Sequence, residues 1–240
     1  MEAGCLFERE HYWRVASVLQ ALDARLLHAH QCLFGGGTAL ALRYGEYRES
    51  VDIDFLVSHR EGYRALRQLL SGAAGMKAIC RADLDLATVF SQTRDVRADQ
   101  YGLRTMLRVA DVEIKFEIVL EARITLDAPG ACDLLCGVAT LTPLDAAASK
   151  LLANSDRWRD DASLSRDLID LAMMAPPKAL LRQAIVKAEG AYGASIEADL
   201  RKAIQNLRER PHRLDHCMQA MGMTTVPKAL LWKRIKALEP

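Results

Sequence analysis

Long apolar runs are missing from this sequence. Of its 240 residues, half are hydrophobic and about a quarter are charged. No uninterrupted apolar stretch approaches the ~20 residues that a membrane-spanning helix needs. The first residues, MEAGCLFEREHYWRV, are charged early and lack the apolar core of a secretory signal. Both absences point to a cytoplasmic protein with no membrane partner. Cysteine is sparse and scattered, at positions Cys5, Cys32, Cys80, Cys132, Cys136 and Cys217. Only Cys132 and Cys136 lie close together, and no second pair accompanies them. The spacing therefore argues against a zinc site or a disulfide frame and for reduced, mostly buried thiols. An excess of either charge is missing too, with a formal net charge of +1. Overall charge thus identifies no nucleic-acid binder, although a local basic cleft can sit inside a neutral total. Low-complexity linkers and sustained repeats are absent. A chain this long can bury roughly 70% of its unfolded surface, so it needs no staple.

What is present changes character along the chain. Apolar residues at helical spacing run over 8–29, through Trp13, Val15, Val18, Leu19, Leu22 and Leu26. Cys32–Phe34 reads as a buried strand, Thr38–Tyr44 as a helix, Val51–Val57 as a strand and Gly62–Leu70 as a helix. Strand-like pieces follow at Ala87–Phe90 and Leu103–Val109. VADVEIKFEIVLE alternates, with Val112, Ile114, Phe116 and Ile118 on one face and Glu113, Lys115 and Glu117 on the other. Ala110-Asp111 is the tight turn of a hairpin. Beyond Pro129-Gly130 only helices are expected. Thr142 is placed as an N-cap with Pro143 at the first helical position. Further helices cover SLSRDLIDLAMMA, 177–189, 194–209 and 226–238. The division is a mixed α/β part over 1–128 and a helical part over 129–240.

The chemistry concentrates in FGGGTALALRYGEYRESVDIDFLV. A glycine turn between strand and helix exposes unpaired N–H groups and the positive end of the helix dipole. Glycine lets the chain turn sharply and lets a phosphate approach the backbone. Thr38 adds a hydroxyl. Asp52 and Asp54 lie two apart on a strand, so they project to one face about 6.6 Å apart. Val51, Ile53 and Phe55 pack on the other. Two such carboxylates repel and need a counter-charge. Mg2+, with Mn2+ able to substitute, suits carboxylate oxygens together with substrate phosphates. A third carboxylate on a neighbouring strand helps hold metal and takes a proton from an attacking hydroxyl. Glu117 is the choice for it and Glu113 the reserve.

This pattern resembles the polymerase-beta type of nucleotidyltransferase. Within that group it is similar to the AbiEii/AbiGii toxin family. The signature residues are Gly36, Gly37, Thr38, Arg48, Ser50, Asp52 and Asp54. IKFEIV is similar to the family's third-carboxylate strand. The helical part matches the family's lysine helix and R-D-x-x-D helix at Lys150, Arg157, Arg166, Asp167 and Asp170. The resemblance covers roughly 31–175. It implies an α+β fold, a nucleotidyltransferase mixed sheet with flanking helices followed by a C-terminal helical bundle that completes the active site. It implies a bacterial enzyme moving a nucleoside monophosphate from an NTP to a hydroxyl. The implied setting is a toxin–antitoxin or phage-defence system, with tRNA or another RNA as acceptor and an antitoxin as partner. Asp52, Asp54 and Glu117 bind metal. Gly36, Gly37, Thr38, Arg48 and Ser50 hold the nucleotide.

Lys150 and Arg157 are seven apart and share a helix face. They suit triphosphate oxygens or the negative charge that develops in transfer. Asp167 and Asp170 share a face of the next helix and can orient them, and the family's pattern gives Asp167 a part in catalysis. The competing reading of Lys150 and Arg157 is a surface network with Asp156, Asp160 and Asp161. His212 and His216, near Arg208, Arg210 and Arg213, read as a solvated basic face that, with KALLWKRIK at the end, an RNA backbone can use. The methionines, including Met173-Met174, read as helix packing. The stretch 76–100 matches nothing in the family; nucleobase choice is expected to lie there or in the C-terminal helices. Two other functions remain open. One is a nucleotide- or RNA-binding module without transfer, and the other a transferase acting on a protein or small molecule.

Overall fold

The computed structural model describes residues 7–240. Cys5 lies outside the described residues. The chain divides into two compact units. One holds the chain up to Leu42 and Val51–Thr142; the other holds Arg43–Ser50 and Pro143–Pro240.

The first unit is a mixed sheet with helices. The periodicity over 8–29 is cut into two helices, α1 (Glu10–Ala21) and α2 (Ala24–Ala29). Leu22 is extended, and the Asp23 carboxylate accepts from the N–H groups of Arg25 and Leu26, each at 3.0 Å. An aspartate favours this capping role over a helix interior, which is why the single helix breaks there. Then come β1 (Leu33–Gly35), α3 (Gly36–Arg43), β2 (Ile53–Val57) and α4 (Arg60–Leu70). The helix after β1 begins at the glycines themselves rather than at Thr38.

Ala87–Phe90 is not a strand. Leu86–Thr88 forms a 3-10 turn capped by Asp85, and the strand β3 (Ser91–Gln92) starts after it. β4 (Arg97–Ala98), β5 (Gly102–Val109) and β6 (Val112–Leu120) follow, with Ala110 at φ +51 in the turn between the last two. β7 (Leu134–Leu135) and β8 (Val138–Ala139) make a separate small hairpin.

The main sheet runs β1-β2-β6-β5, with β3 and β4 both pairing on the outer side of β5. Only β2 and β6 are parallel. One face of the central strands is apolar: Ile53, Phe55, Ile114, Phe116 and Ile118 are all buried. Phe34, Phe55 and Phe116 form a chain of rings with centroids 5.5 and 5.7 Å apart. Each such pair adds about 0.5–1.5 kcal/mol beyond burial, and a one-residue slip would turn every ring to the other face. Val51 does not join this face. It precedes β2 and is 41% exposed.

The second unit is helical: α5 (Pro143–Arg157), α6 (Arg166–Met174), α7 (Lys178–Tyr192), α8 (Ser195–Glu209), α9 (Arg213–Ala220) and α10 (Lys228–Ala237). Its core includes Leu151, Leu168, Ile169, Leu200, Ile204, Leu231 and Ile235. Met173, Met174, Met218, Met221 and Met223 are buried in packing. The segment Arg43–Ser50 belongs here, with the Glu49 N–H donating to the Met221 carbonyl at 2.8 Å. Cys32, Cys80 and Cys217 are buried, Cys136 is partly so and Cys132 is exposed; all five are free thiols. No helix among the described residues is long and apolar enough to cross a membrane.

The ring chain sets a first expectation. Phe55→Ala removes its middle member and costs about 3–5 kcal/mol. Urea unfolding followed by circular dichroism should show a lower midpoint, and an unchanged midpoint would show that the rings do not hold the register.

Candidate active site

In the sheet unit, the register brings acids and glycines together. Gly35 pairs with Asp54, and Asp54 pairs with Glu117 across the parallel β2–β6 ladder. Partners in register share a face, so Asp54 and Glu117 project side by side, opposite the phenylalanines. Glu113 lies four residues back along β6, opposite Arg108. It takes a 3.4 Å ion pair from Arg108 and a 3.1 Å hydrogen bond from Thr93.

Gly36 is required twice over. Its φ is +69, and a Cβ there would stand 2.6 Å from Asp54 Oδ2. The first turn of α3 thus abuts the Asp54 carboxylate, and its dipole favours negative charge at that point. Thr38, in the same turn, is buried at 1% exposure. Asp52 sits exposed just before β2, and Asp54 is half-buried.

Glu117 is buried and held by two cations. Arg104 Nε donates to Oε1 at 2.5 Å, and Lys115 Nζ donates to Oε2. Burial works against the charge on Lys115. The hydrogen bond to Glu117 and the fields of Glu117, Asp54 and Asp52 outweigh it and raise the ammonium's pKa. One ammonium therefore answers all three carboxylates. Among the described residues, no three His, Cys, Asp or Glu side chains form a preassembled metal cage. The donor set nonetheless fits a hard divalent cation, being all carboxylate oxygen, and Lys115 shows that a positive charge is required among these acids.

In the helical unit, a second cluster is built around two buried aspartates. Lys150 on α5 lies 3.1 Å from Asp167 Oδ1 and 2.7 Å from Asp170 Oδ2. Arg157, two turns on, grips Asp167 with Nε at 2.5 Å and Nη2 at 2.9 Å. Arg48 grips Asp170 in the same forked manner, at 2.6 and 2.9 Å. The Tyr47 hydroxyl donates to Asp170 Oδ1 at 2.7 Å.

Burial alone would raise the pKa of Asp170, but the charges of Arg48 and Lys150 and their hydrogen bonds hold it well below the carboxylate range. Asp167 is lowered likewise, with Lys150 and Arg157 outweighing burial. Three cations face two carboxylates, so the cluster carries net positive charge, and Arg157 is its half-exposed member. The helix bearing both aspartates is bounded by non-glycine residues at positive φ: Leu164, Ser165 and Ala175. Such conformations cost of order 1–3 kcal/mol each and gather at functional sites.

Several expectations from the sequence take a definite form here. Of the acids in the competing network, Asp160 and Asp161 do not pair with Lys150 or Arg157, while the charge of Asp156 does act on Arg157. Asp160 caps its own turn, and Asp161 binds Arg210 at 2.7 Å. The C-terminal basic face is neutralised in part: Arg208 pairs with Glu239, Arg210 and Arg213 with Asp161, and Lys228 with Asp215, while Lys233 and Lys236 are exposed with no ion-pair partner among the described residues. Arg48 is 5% exposed and committed to Asp170; Ser50 is half-buried in the same unit. Three residues went without a role in the sequence reading: Tyr47, Arg104 and the counter-charge Lys115. A turn at Ala110-Asp111 already sets Arg104 opposite Glu117 by counting back along the hairpin. Nothing local marks Tyr47.

A family model described as "Nucleotidyl transferase AbiEii toxin, Type IV TA system" matches residues 17–235. The chain belongs to the AbiEii nucleotidyl transferase toxin family. As a member it is a transferase, the toxin type of a toxin–antitoxin pair, in a family that generally uses an NTP and a divalent metal. A crystal structure of a candidate nucleotidyltransferase from H. pylori shares the fold, with a TM-score of 0.55 at 16% identity. The match covers 95% of this chain and 93% of that one. A comparison with curated proteins gave no match.

The Asp170 cluster gives a stability expectation. Folding depresses the pKa of both aspartates, so their contribution is whole above the unfolded carboxylate pKa of about 3.9 and is lost as pH falls through the folded values. Asp170→Ala leaves Arg48 and Lys150 buried with a missing counter-charge, at about 3–5 kcal/mol. The unfolding free energy from urea titration at pH 7 should fall by that amount, and the gap from wild type should narrow at pH 3. A gap independent of pH would show that the charge of Asp170 is not what stabilises the unit.

Proposed function

We propose that this toxin transfers a nucleoside monophosphate from an NTP to a hydroxyl of RNA, tRNA being the chief candidate, in the cytoplasm and under control of a cognate antitoxin. The supporting observation is the Asp54–Glu117 register pair with the first turn of α3 against it. Asp52, Asp54 and Glu117 would hold Mg2+, which when bound neutralises phosphate charge and favours attack at phosphorus.

The chain's own residues do the rest. The N–H groups at Gly36 and Gly37 receive phosphate oxygens at the helix N-terminus. The acceptor oxygen bonds to the α-phosphorus as the bond to pyrophosphate breaks. The hydroxyl proton passes to Glu117, the register partner of Asp54. Arg157, the half-exposed cation, steadies the triphosphate, and Lys150 acts through Asp167, which holds Arg157 in place. Arg48 acts through Asp170, as a positioning residue rather than a nucleotide contact. One feature favours the competing reading of a binding module without transfer: Lys115 already offsets part of the charge of the acids.

The test is label transfer from each labelled NTP, with Mg2+, to total tRNA. Asp52→Ala should abolish labelling while leaving the melting curve unchanged, since Asp52 is exposed. Glu117→Gln should slow transfer by about 10²–10⁴-fold, the usual range for a lost acid–base group, and Glu113→Gln should stay near wild type. Wild-type labelling in Asp52→Ala would overturn the metal assignment, and the reverse order of the two glutamates would move the base to Glu113. Tight nucleotide binding with no transfer would favour the module.

A further inference from the structure

The row of residues that contains the candidate catalytic acids does not end at Glu117. Across the sheet the register runs Asp54, Glu117, Arg104, Arg97. All four side chains share one face, and neighbouring strands lie about 4.8 Å apart. The face therefore passes from acid to base over about 14 Å, toward the edge strand. Arg104 is answered by Asp99 at 2.8 Å and by Glu117. Arg97, directly opposite it, and nearby Arg94 are exposed and have no ion-pair partner among the described residues. Like charges directly opposed on a ladder are destabilising, so an unanswered Arg97 beside Arg104 is a standing demand for an anion. Arg94 and Arg97 line one depression with Gln92, Thr93 and Asp95.

At the β4–β5 turn stands Tyr101, with its ring 64% exposed. Its backbone is pinned. Asp99 Oδ1 accepts from the N–H groups of Tyr101 and Gly102 at 2.7 and 2.9 Å, and the Tyr101 carbonyl accepts from the Leu120 N–H at 2.8 Å. Tyr63 holds the Asp99 carbonyl at 2.8 Å. The turn thus presents a large aromatic surface to solvent from a fixed backbone. Leu120 is three residues beyond Glu117, so the ring's backbone lies about 10 Å along the strand direction from the proposed base. The ring and the unanswered guanidinium groups belong to the same β4–β5 edge, and an exposed aromatic together with cations is the combination that binds single-stranded nucleic acid, the ring taking a base and the cations the backbone.

We propose that the β4–β5 edge docks the single-stranded end of an RNA acceptor, with Tyr101 stacking a base and Arg94 and Arg97 meeting phosphates, and leads the terminal hydroxyl toward Asp54 and Glu117. This rests on the transferase reading for its purpose but not for its binding chemistry. It also assigns a role within 76–100, a stretch in which the sequence alone marks no motif.

The test uses the purified full chain in EDTA without NTP, so binding is read apart from transfer. A 5′-fluorescein RNA of about twelve nucleotides, near the upper range for such platforms, is titrated by anisotropy. Tyr101→Ala should weaken binding about ten-fold, and Tyr101→Phe should retain it, because stacking needs the ring alone. Arg94→Ala with Arg97→Ala should flatten the slope of log affinity against log salt by roughly 1.4, the value for two phosphates on a single strand. Melting curves should match wild type. Wild-type affinity in Tyr101→Ala, or an unchanged slope in the double variant, overturns the proposal even if label transfer to RNA proceeds. Tighter binding of the DNA of the same sequence overturns RNA as the ligand. Binding that depends on Tyr101, in a protein that transfers no label, would uphold the platform and reject the transferase reading.

Discussion

Two buried carboxylates impose the strictest constraint on the helical unit. Asp170 is 0% exposed, and an ion in that position is tolerable only if its charge and its lone pairs are fully answered. Two arms of Arg48, the ammonium of Lys150 and the hydroxyl of Tyr47 supply that answer. These partners come from two distant places, Tyr47-Arg48 and Lys150, so one desolvated carboxylate on α6 fixes three stretches of chain together. Lys150 is also shared with Asp167, which in turn fixes Arg157. The orientation of the half-exposed guanidinium is therefore set by the burial of its neighbours. The left-handed residues at both ends of α6 carry the local cost of bringing its aspartates to that point.

The sheet unit solves the opposite problem. There Asp52 and Asp54 stay accessible beside the buried Glu117, and the constraint is to keep the acids together without collapse. The strand does so by separating its faces. Phenylalanine rings across β1, β2 and β6 fix the register on one side, and that register alone decides which acid stands next to Asp54. Glycine at position 36 lets the helix N-terminus come up against the same carboxylate. The pairs from Arg104 and Lys115 to Glu117 keep its charge balanced while no other cation is at hand. An enzyme that must accept a polyanionic substrate gains from internal cations of this kind, because a bare cluster of acids would repel it.

Much of this is legible in the residues. The glycine turn, the Asp52–Asp54 spacing, the alternating hairpin and the Lys150–Arg157 spacing are local patterns, and local patterns survive folding. The fold class follows from the same signals. What was not legible depends on partners distant in sequence. That Arg48 faces Asp170, 122 positions away, has no local mark, and the motif context made it a nucleotide contact instead. Tyr47 is hidden for the same reason. The break at Asp23 and the turn at Leu86–Thr88 are capping decisions that apolar periodicity does not register. The C-terminal arginines looked like a basic face because their partners, Asp161 and Glu239, lie far along the chain.

That last point decides where a polyanion would go. Counting lysines and arginines locates charge, but only pairing shows which charges are still available. By that criterion the plain-looking edge of the sheet gains a claim beside that of the last helix, where Lys233 and Lys236 are also exposed without an ion-pair partner among the described residues. The edge has few cations, yet two of them lack an ion-pair partner and one of these, Arg97, stands in register with the acids. Field strength at a surface follows the unbalanced charge and not the number of basic residues. A ladder whose register runs from paired carboxylates through a bridged arginine to an open one is a charge gradient built into the backbone. A substrate with its reactive hydroxyl ahead of a phosphate chain would lie along it in one direction only.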